Sequence, residues 1–310
     1  MAITFNDIVA RVKQQLLGYT KDQASLSYLV APMDATDISF QADAETVTNL
    51  SRGLVEIDDE LILVKKYDRA TGVCEVFGGL SGTGRGQDGT TPAPHGLDSF
   101  ITNDPRFPRV RIKEAINDTI RGLYPDLFIF GEFEFPYVAA RWEYPLPDDA
   151  DDVYKVFVNT IGPSAIWFPS QRWRFNPQTS TTPGQVKPSP TPTGKTLQIL
   201  DGIVPGRNVR VTYTKKPTEL VDGADLLTDT GYPERYVDMI VYGACWRLLP
   251  AYDAGRLQQQ AIEATERAPL VPAGSAGDTA QLYLALYQKR LDEERDRLLE
   301  LYPTFQNFNS

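Results

Sequence analysis

Gly53-Leu54-Val55-Glu56-Ile57, then Asp58-Asp59, then Glu60-Leu61-Ile62-Leu63-Val64-Lys65 is the stretch on which the fold turns. Short runs of aliphatic and β-branched side chains, separated by small or acidic residues, read as strands. Ile38-Ser39-Phe40 before them and Gly72 to Phe77 after them have the same character. Tyr67-Asp68-Arg69-Ala70-Thr71-Gly72 sits between two of the runs as the connection of a hairpin. Residues 25–105 are therefore predicted to form a β domain, a small barrel or sandwich.

Outward from this segment the period changes. Phe5, Ile8, Val9, Val12 and Leu16 repeat at helical spacing behind Thr4 and Asp7, a capping pair, and Gly18 is the expected stop. Ile112, Ile116, Ile120 and Leu123 form a second stripe, with Pro108 in its first turn and Pro125 at its end. Residues 129–228 return to strands, notably Val153 to Val158 and Val209 to Tyr213. Inside them, 176–194 is a Pro/Ser/Thr-rich arm, too poor in apolar residues to build a core. Pro233 opens a third helix carrying Val237, Ile240, Val241, Ala244 and Leu248, which Pro250 is expected to close. A weaker helical pattern covers Gly255 to Arg267. Asp278 is expected to cap a last helix reaching Leu301, with Leu284, Tyr287, Leu291, Leu298 and Leu301 inward and a Glu293–Arg297 pair outside.

Amphipathic stripes need one another, so the predicted fold is α+β: a bundle of four to five helices interrupted by two inserted β domains. The divisions are 1–24 (bundle helix 1), 25–105 (β domain 1), 106–128 (bundle helix 2) and 129–228 (β domain 2). The C-terminal bundle helices follow at 229–303, and a tail at 304–310.

Composition narrows the function. The 310 residues carry 31 basic and 41 acidic side chains, a net charge of -10 that argues against a protein holding nucleic acid by phosphate neutralisation. Two distant cysteines suit neither a disulfide framework nor a zinc site, and fit synthesis in a reducing cytoplasm. Neither a signal peptide nor a membrane-spanning run is expected.

Candidate chemistry is sparse. Gly84-Arg85-Gly86-Gln87-Asp88-Gly89 fits a dinucleotide fingerprint, but Thr90-Thr91-Pro92-Ala93-Pro94 follows where a helix N-terminus is required. His95, the single histidine, lies in that loop with no nucleophile or second ligand near it in sequence. Carboxylates cluster at Asp58-Asp59-Glu60, at Glu132 and Glu134, and at Asp148-Asp149-Ala150-Asp151-Asp152, which read as acidic turns before an acid–base pair. Trp167 to Phe175 interleaves aromatics with Arg172 and Arg174, a strand with an aromatic inner face or a stacking surface for sugars or bases. Arg106, Arg109, Arg111 and Lys113 make one short basic patch. No catalytic residue, metal or cofactor is assigned. The competing readings are a glycan-binding tail or baseplate protein and a virion-associated cell-wall hydrolase.

Several of these segments resemble the head-to-tail connector (adaptor) proteins of tailed bacteriophages. Arg85-Gly86-Gln87-Asp88-Gly89-Thr90-Thr91-Pro92-Ala93-Pro94-His95 is similar to a loop that recurs in phage virion proteins, here marked by Arg85, Gly86, Gly89, Thr90 and His95. Asp98 departs from it, standing where a glycine is frequent. Ile112 to Phe128, Tyr232 to Ala244 and Gln281 to Pro303 resemble the second, third and final helices of the family. The resemblance implies a non-enzymatic virion part located in the neck: a homo-oligomeric ring of about twelve copies. Its partners would be the portal protein and the next tail or neck ring, with DNA passing through unbound. It places the portal contact in the C-terminal tail, at Thr304, Phe305, Phe308 and Ser310. The arm prolines Pro183, Pro188, Pro190 and Pro192 are then candidates for contact with a neighbour.

Overall fold

The structure, a computed structural model, describes residues 2–17, 26–43, 50, 52–78, 84–139, 141, 143–160, 166–179, 194–262 and 275–303. The chain is mixed α+β and divides into two compact units. Unit 1 is Met1–Thr119, Leu220–Leu227 and Glu234–Lys289; unit 2 is Ile120–Glu219, Thr228–Pro233 and Arg290–Ser310.

Unit 1 contains a closed barrel. Its strands are β1 (Leu26–Tyr28), β2 (Ser39–Gln41), β3 (Gly53–Ile57), β4 (Glu60–Tyr67), β5 (Val73–Val76) and β6 (Phe100–Asn103), ordered β1-β6-β3-β4-β5-β2 with antiparallel neighbours. Closure comes just beyond the ends of β1 and β2. Leu29 bridges Ala42, the Val30 N–H donates to the Gln41 carbonyl (2.9 Å), and the Asp43 N–H donates to that of Tyr28 (3.0 Å). Leu29, Phe40, Val55, Ile57, Ile62, Val64, Cys74 and Ile101 fill the interior. Closing the sheet pairs the ends of β1 and β2, the two strands that would otherwise be its edges.

Four α-helices lie among the described residues: α1 (Phe5–Gln15), α2 (Arg109–Gly122), α3 (Val237–Ile262) and α4 (Ser275–Leu301). The Thr4 hydroxyl accepts from the Asp7 N–H and the Asp7 carboxylate accepts from the Thr4 N–H, so the expected capping box is present. Gly18 lies outside the described residues. Ile112, Ile116, Ile120 and Leu123 of α2 are all fully buried. Within unit 1 the helices touch in pairs. Arg11 of α1 faces Asp238 of α3 (3.9 Å), and Tyr242 of α3 stacks on Tyr283 of α4 (6.0 Å), whose hydroxyl reaches the Gln15 side chain of α1 (3.0 Å).

Four expectations are corrected. Pro250 does not close α3, which continues to Ile262. Pro250 lies on the exposed side and sacrifices one backbone bond without a core clash. Asp278 is not the cap of α4 but stands inside its first turn, because the helix starts at Ser275. Leu301 is exposed, and Glu293 pairs with Arg290 (2.7 Å) rather than with Arg297.

Unit 2 is a two-layer sandwich. One sheet orders β10 (Trp167–Pro169), β9 (Asp152–Asn159), β13 (Asn208–Lys215) and β7 (Ile129–Pro136); the other orders β11 (Trp173–Thr179), β12 (Gly194–Ile199) and β8 (Glu143–Pro145). Alternate residues of both meet in one core: Val153, Val156, Val209, Val211 and Tyr213 from the first, Leu197 from the second.

Candidate functional site

The recurrent loop is the lining of a buried ion-pair network. Gly84 approaches Phe77 so closely that a Cβ would lie 2.5 Å from its carbonyl oxygen, and Gly86 turns the chain at φ 59°. Both positions demand glycine. The turn delivers Arg85 into the barrel, where its Nε and Nη2 donate to the two Glu60 carboxylate oxygens at 2.7 and 2.8 Å. Nη1 donates to the carbonyls of Asp34 (2.8 Å) and Asp37 (3.0 Å), and Nη2 also to that of Ala93 (2.8 Å). All five guanidinium donors are thus used. Glu60 accepts in addition from the backbone N–H groups of Gly86 and Ala93, both at 3.0 Å. Thr90 locks the far side: its hydroxyl accepts from the Leu61 N–H (3.1 Å) and donates to the Gln87 carbonyl (2.8 Å). Gly89 also turns left-handed, at φ 84°.

His95 completes the network. Its Nε2 lies 2.9 Å from Glu60 and its Nδ1 2.9 Å from Asp58, while its backbone pairs in both directions with Met33. Glu60 is 1% exposed, His95 4% and Arg85 6%. Burial alone would raise the Glu60 pKa; the hydrogen bonds from Arg85, His95, Ala93 and Gly86 outweigh it and bring the carboxyl down to about 2. Burial likewise opposes charge on His95, but its bonds to Glu60 and Asp58 raise it above the ordinary 6.5. A ring with both nitrogens on carboxylates is an imidazolium.

The sign of the pH dependence follows. His95 binds its proton more tightly folded than unfolded, so its contribution is whole below pH 6.5 and is lost as pH rises through the raised folded value. Glu60 contributes fully above pH 4.5 and loses its contribution as pH falls toward about 2. Urea midpoints of the barrel transition are expected to decline from pH 6 to pH 9 in the wild type, and His95→Gln is expected to flatten that decline. Equal slopes in the two proteins would refute the imidazolium.

The neighbouring carboxylates hold helices. Glu56 of β3 accepts from the Arg109 backbone N–H at the start of α2 and faces Lys13 of α1 at 3.8 Å. Asp59 takes Arg109 (2.9 Å) and Lys113 (2.8 Å), both of α2. Burial pushes Glu56 up and Lys13 down, each partly offset by the other. A cavity of about 280 Å³ is lined by Lys13, Glu56, Asp58, Phe100, Thr102 and Arg109. The hairpin carboxylates of 56–60 thus each hold a named cation or histidine, an arrangement that fixes elements to one another. The basic patch is absorbed in the same way: Arg111 pairs with Asp88 (2.7 Å) and Glu114 (2.9 Å).

Elsewhere the candidates scatter. Glu134 is tied to Arg210 (2.6 Å), Asp151 to Lys195 (3.3 Å) and Asp149 to the Tyr213 hydroxyl (3.2 Å). Trp173 and Phe175 pack on the sandwich core, Trp167 lies under the Arg210 guanidinium (4.3 Å), and Arg172 and Arg174 point outward. The arm prolines Pro183, Pro188, Pro190 and Pro192 and the tail residues Thr304, Phe305, Phe308 and Ser310 lie outside the described residues. Among the described residues no group of three or more His, Cys, Asp or Glu could hold a metal ion, and no helix is long and apolar enough to cross a membrane. Asp58 and Glu60 are the partners that sequence reasoning missed. Both carboxylates were visible as an acidic turn, but nothing local in the sequence pairs them with Arg85 and His95.

Unit 1 holds a barrel and unit 2 a sandwich, and the charges named above join one structural element to another within each unit, as in a structural class of protein. The SU10 adaptor protein family model matches residues 97–303, two thirds of the chain, covering α2 to α4 and the whole sandwich. The chain belongs to the SU10 adaptor protein family, and is by that membership a bacteriophage structural adaptor with a place in the virion among other virion proteins. No curated protein matches it. The Arg85 loop lies ahead of the matched residues.

Proposed function

We propose that the protein is a head-to-tail connector, a non-enzymatic ring of about twelve copies that joins the portal to the tail and lines the DNA exit channel. The observation that carries the reading is the family match across residues 97–303. Helices 1–24, 106–128 and 229–303 form the frame of the ring, with 25–105 and 129–228 as β domains inserted into it. The pairwise contacts of α1, α3 and α4 and the anchoring of α1 and α2 to the barrel hairpin support this division. The tail residues Thr304, Phe305, Phe308 and Ser310 meet the portal, and the arm prolines meet a neighbour.

Affinity in such a ring comes from repeated interfaces multiplied by symmetry. The net charge of -10 on every copy concentrates negative potential around the channel, which repels the phosphate backbone and lets DNA slide. Mixing the protein with its phage's portal and imaging the product is expected to show a second ring stacked on the portal. A portal that remains bare at micromolar adaptor overturns the proposal.

A further inference from the structure

The sandwich unit carries a second cavity, of about 350 Å³, walled by Tyr124, Phe128, Tyr154 and Trp173, with Thr214 and the exposed Asp152 beside them. That volume is at the small end of ligand pockets, which run from about 300 to 1,000 Å³. Both tyrosine hydroxyls are committed: Tyr124 donates to Asp151, and Tyr154 donates to the Pro303 carbonyl (3.3 Å). Asp151 is also paired with Lys195, at 3.3 Å. Asp152 differs. Its Oδ1 accepts from the Val153 N–H (2.8 Å), and among the described residues no cation meets the carboxylate.

Aromatic rings and an uncompensated carboxylate around one cavity favour a cation, attracted by the ring quadrupoles and by the negative charge. The same unit already brings these two features together around an arginine. The Arg210 guanidinium lies 4.3 Å from the centre of the Trp167 ring, and its Nε donates to Glu134 at 2.6 Å. A planar guanidinium suits such a setting better than an ammonium, because it stacks on rings and forks onto a carboxylate. Lys155, whose ammonium stands 4.7 Å from the centre of the Tyr154 ring, is not a lining residue and does not fill the cavity. Among the described residues the lining holds no lysine or arginine to meet the α-carboxylate of a free amino acid. The cation that fits is therefore a side chain of a polypeptide.

We infer that the Tyr124–Phe128–Tyr154–Trp173 cavity, with Asp152 at its side, is a receptor for an arginine side chain presented by another protein. This goes beyond the connector reading and is tested without portal, so the failure of either leaves the other standing.

The test uses the full chain labelled with 5-fluorotryptophan, the Trp173 resonance being assigned by its loss in Trp173→Phe. Titration with N-acetyl-arginine methylamide is expected to move that resonance to saturation, while the resonance of Trp246, in unit 1, stays in place. N-acetyl-citrulline methylamide, the same shape without the charge, should bind at least about tenfold more weakly. The blocked lysine analogue should bind at least about threefold more weakly. Asp152→Asn, which keeps the oxygen that accepts from Val153, should weaken the arginine probe about fivefold or more. Free L-arginine should bind no more tightly than the blocked probe. An unmoved Trp173 resonance, equal binding of the citrulline or lysine probe, unchanged affinity in Asp152→Asn, or tighter binding of free L-arginine would each overturn the inference.

Discussion

Replacing Arg85 with methionine is expected to destabilise the barrel by about 3–5 kcal/mol, the loss that follows when one partner of a buried ion pair is removed. Three consequences act together. The Glu60 carboxylate stays buried and loses its bidentate partner. The carbonyls of Asp34, Asp37 and Ala93 lose their donors, each a desolvated acceptor costing about 1–3 kcal/mol if water cannot reach it. The remaining charge, His95, cannot replace a planar fork, and neither can lysine at position 85. Arg111→Met supplies the contrast. Its pair with Asp88 has both side chains nearly half exposed, so a cost of about 0–1 kcal/mol is expected. Urea titration of the two variants, following the barrel transition, measures both numbers. Since a domain holds only about 5–15 kcal/mol in total, the Arg85 variant should unfold at a visibly lower midpoint. A loss below about 1 kcal/mol would show that the network does little to stabilise the barrel. The double variant Arg85→Met/Glu60→Leu should cost less than the sum of the single variants, because it removes the stranded carboxylate as well.

The parts of this fold that were legible in the sequence are those with a local signature. The stripe Ile112, Ile116, Ile120, Leu123 has the helical period, Thr4 and Asp7 form a cap within one turn, and β3 and β4 are unbroken aliphatic runs. Closure of the barrel was not legible. It rests on the ends of β1 and β2, each only three residues long, where Tyr28 and Val30 are exposed and the hydropathy pattern is weak. Helix α3 continues past Pro250, which lies on its exposed side, so the local rule that proline ends a helix did not decide the outcome. The polar network was the least legible part: Arg85 meets a glutamate 25 positions earlier, and His95 meets the same glutamate across 35. Such pairings are set by strand register, which residue types alone do not encode. Asp98 shows the same limit from the other side. The resemblance leads one to expect glycine there, and its backbone sits at φ 65°, a left-handed conformation that aspartate tolerates better than most residues.

Gly243→Ala separates helix propensity from packing, because the two demand opposite signs. In the middle of a helix the exchange should stabilise by about 0.5–1 kcal/mol, as alanine loses less backbone freedom on folding. Here Gly243 of α3 is buried against Thr119 of α2, and a Cβ would stand 2.2 Å from the threonine Cγ2 and 3.0 Å from its Oγ1. Thr119 cannot turn away without cost. It is fully buried, its hydroxyl donates to the Ala115 carbonyl (2.7 Å), and that hydroxyl accepts from Arg247 (3.2 Å), which also donates to the Gly243 carbonyl (3.1 Å). Side chain, backbone and the next turn of α3 are thus joined at one point, and a β-branched residue has few rotamers to offer. The two helices must separate locally, and overpacking of this kind costs about 1–3 kcal/mol, enough to reverse the sign set by propensity. Thermal or urea unfolding of Gly243→Ala should therefore show a less stable protein, and adding Thr119→Ser, which deletes the clashing methyl but keeps the hydroxyl bonds, should restore part of the loss. If Gly243→Ala alone is more stable than the wild type, the close crossing of α2 and α3 is wrong. In a ring built on these helices the same separation would displace the frame in every copy, so the variant should also assemble on the portal less completely than the Thr119→Ser rescue.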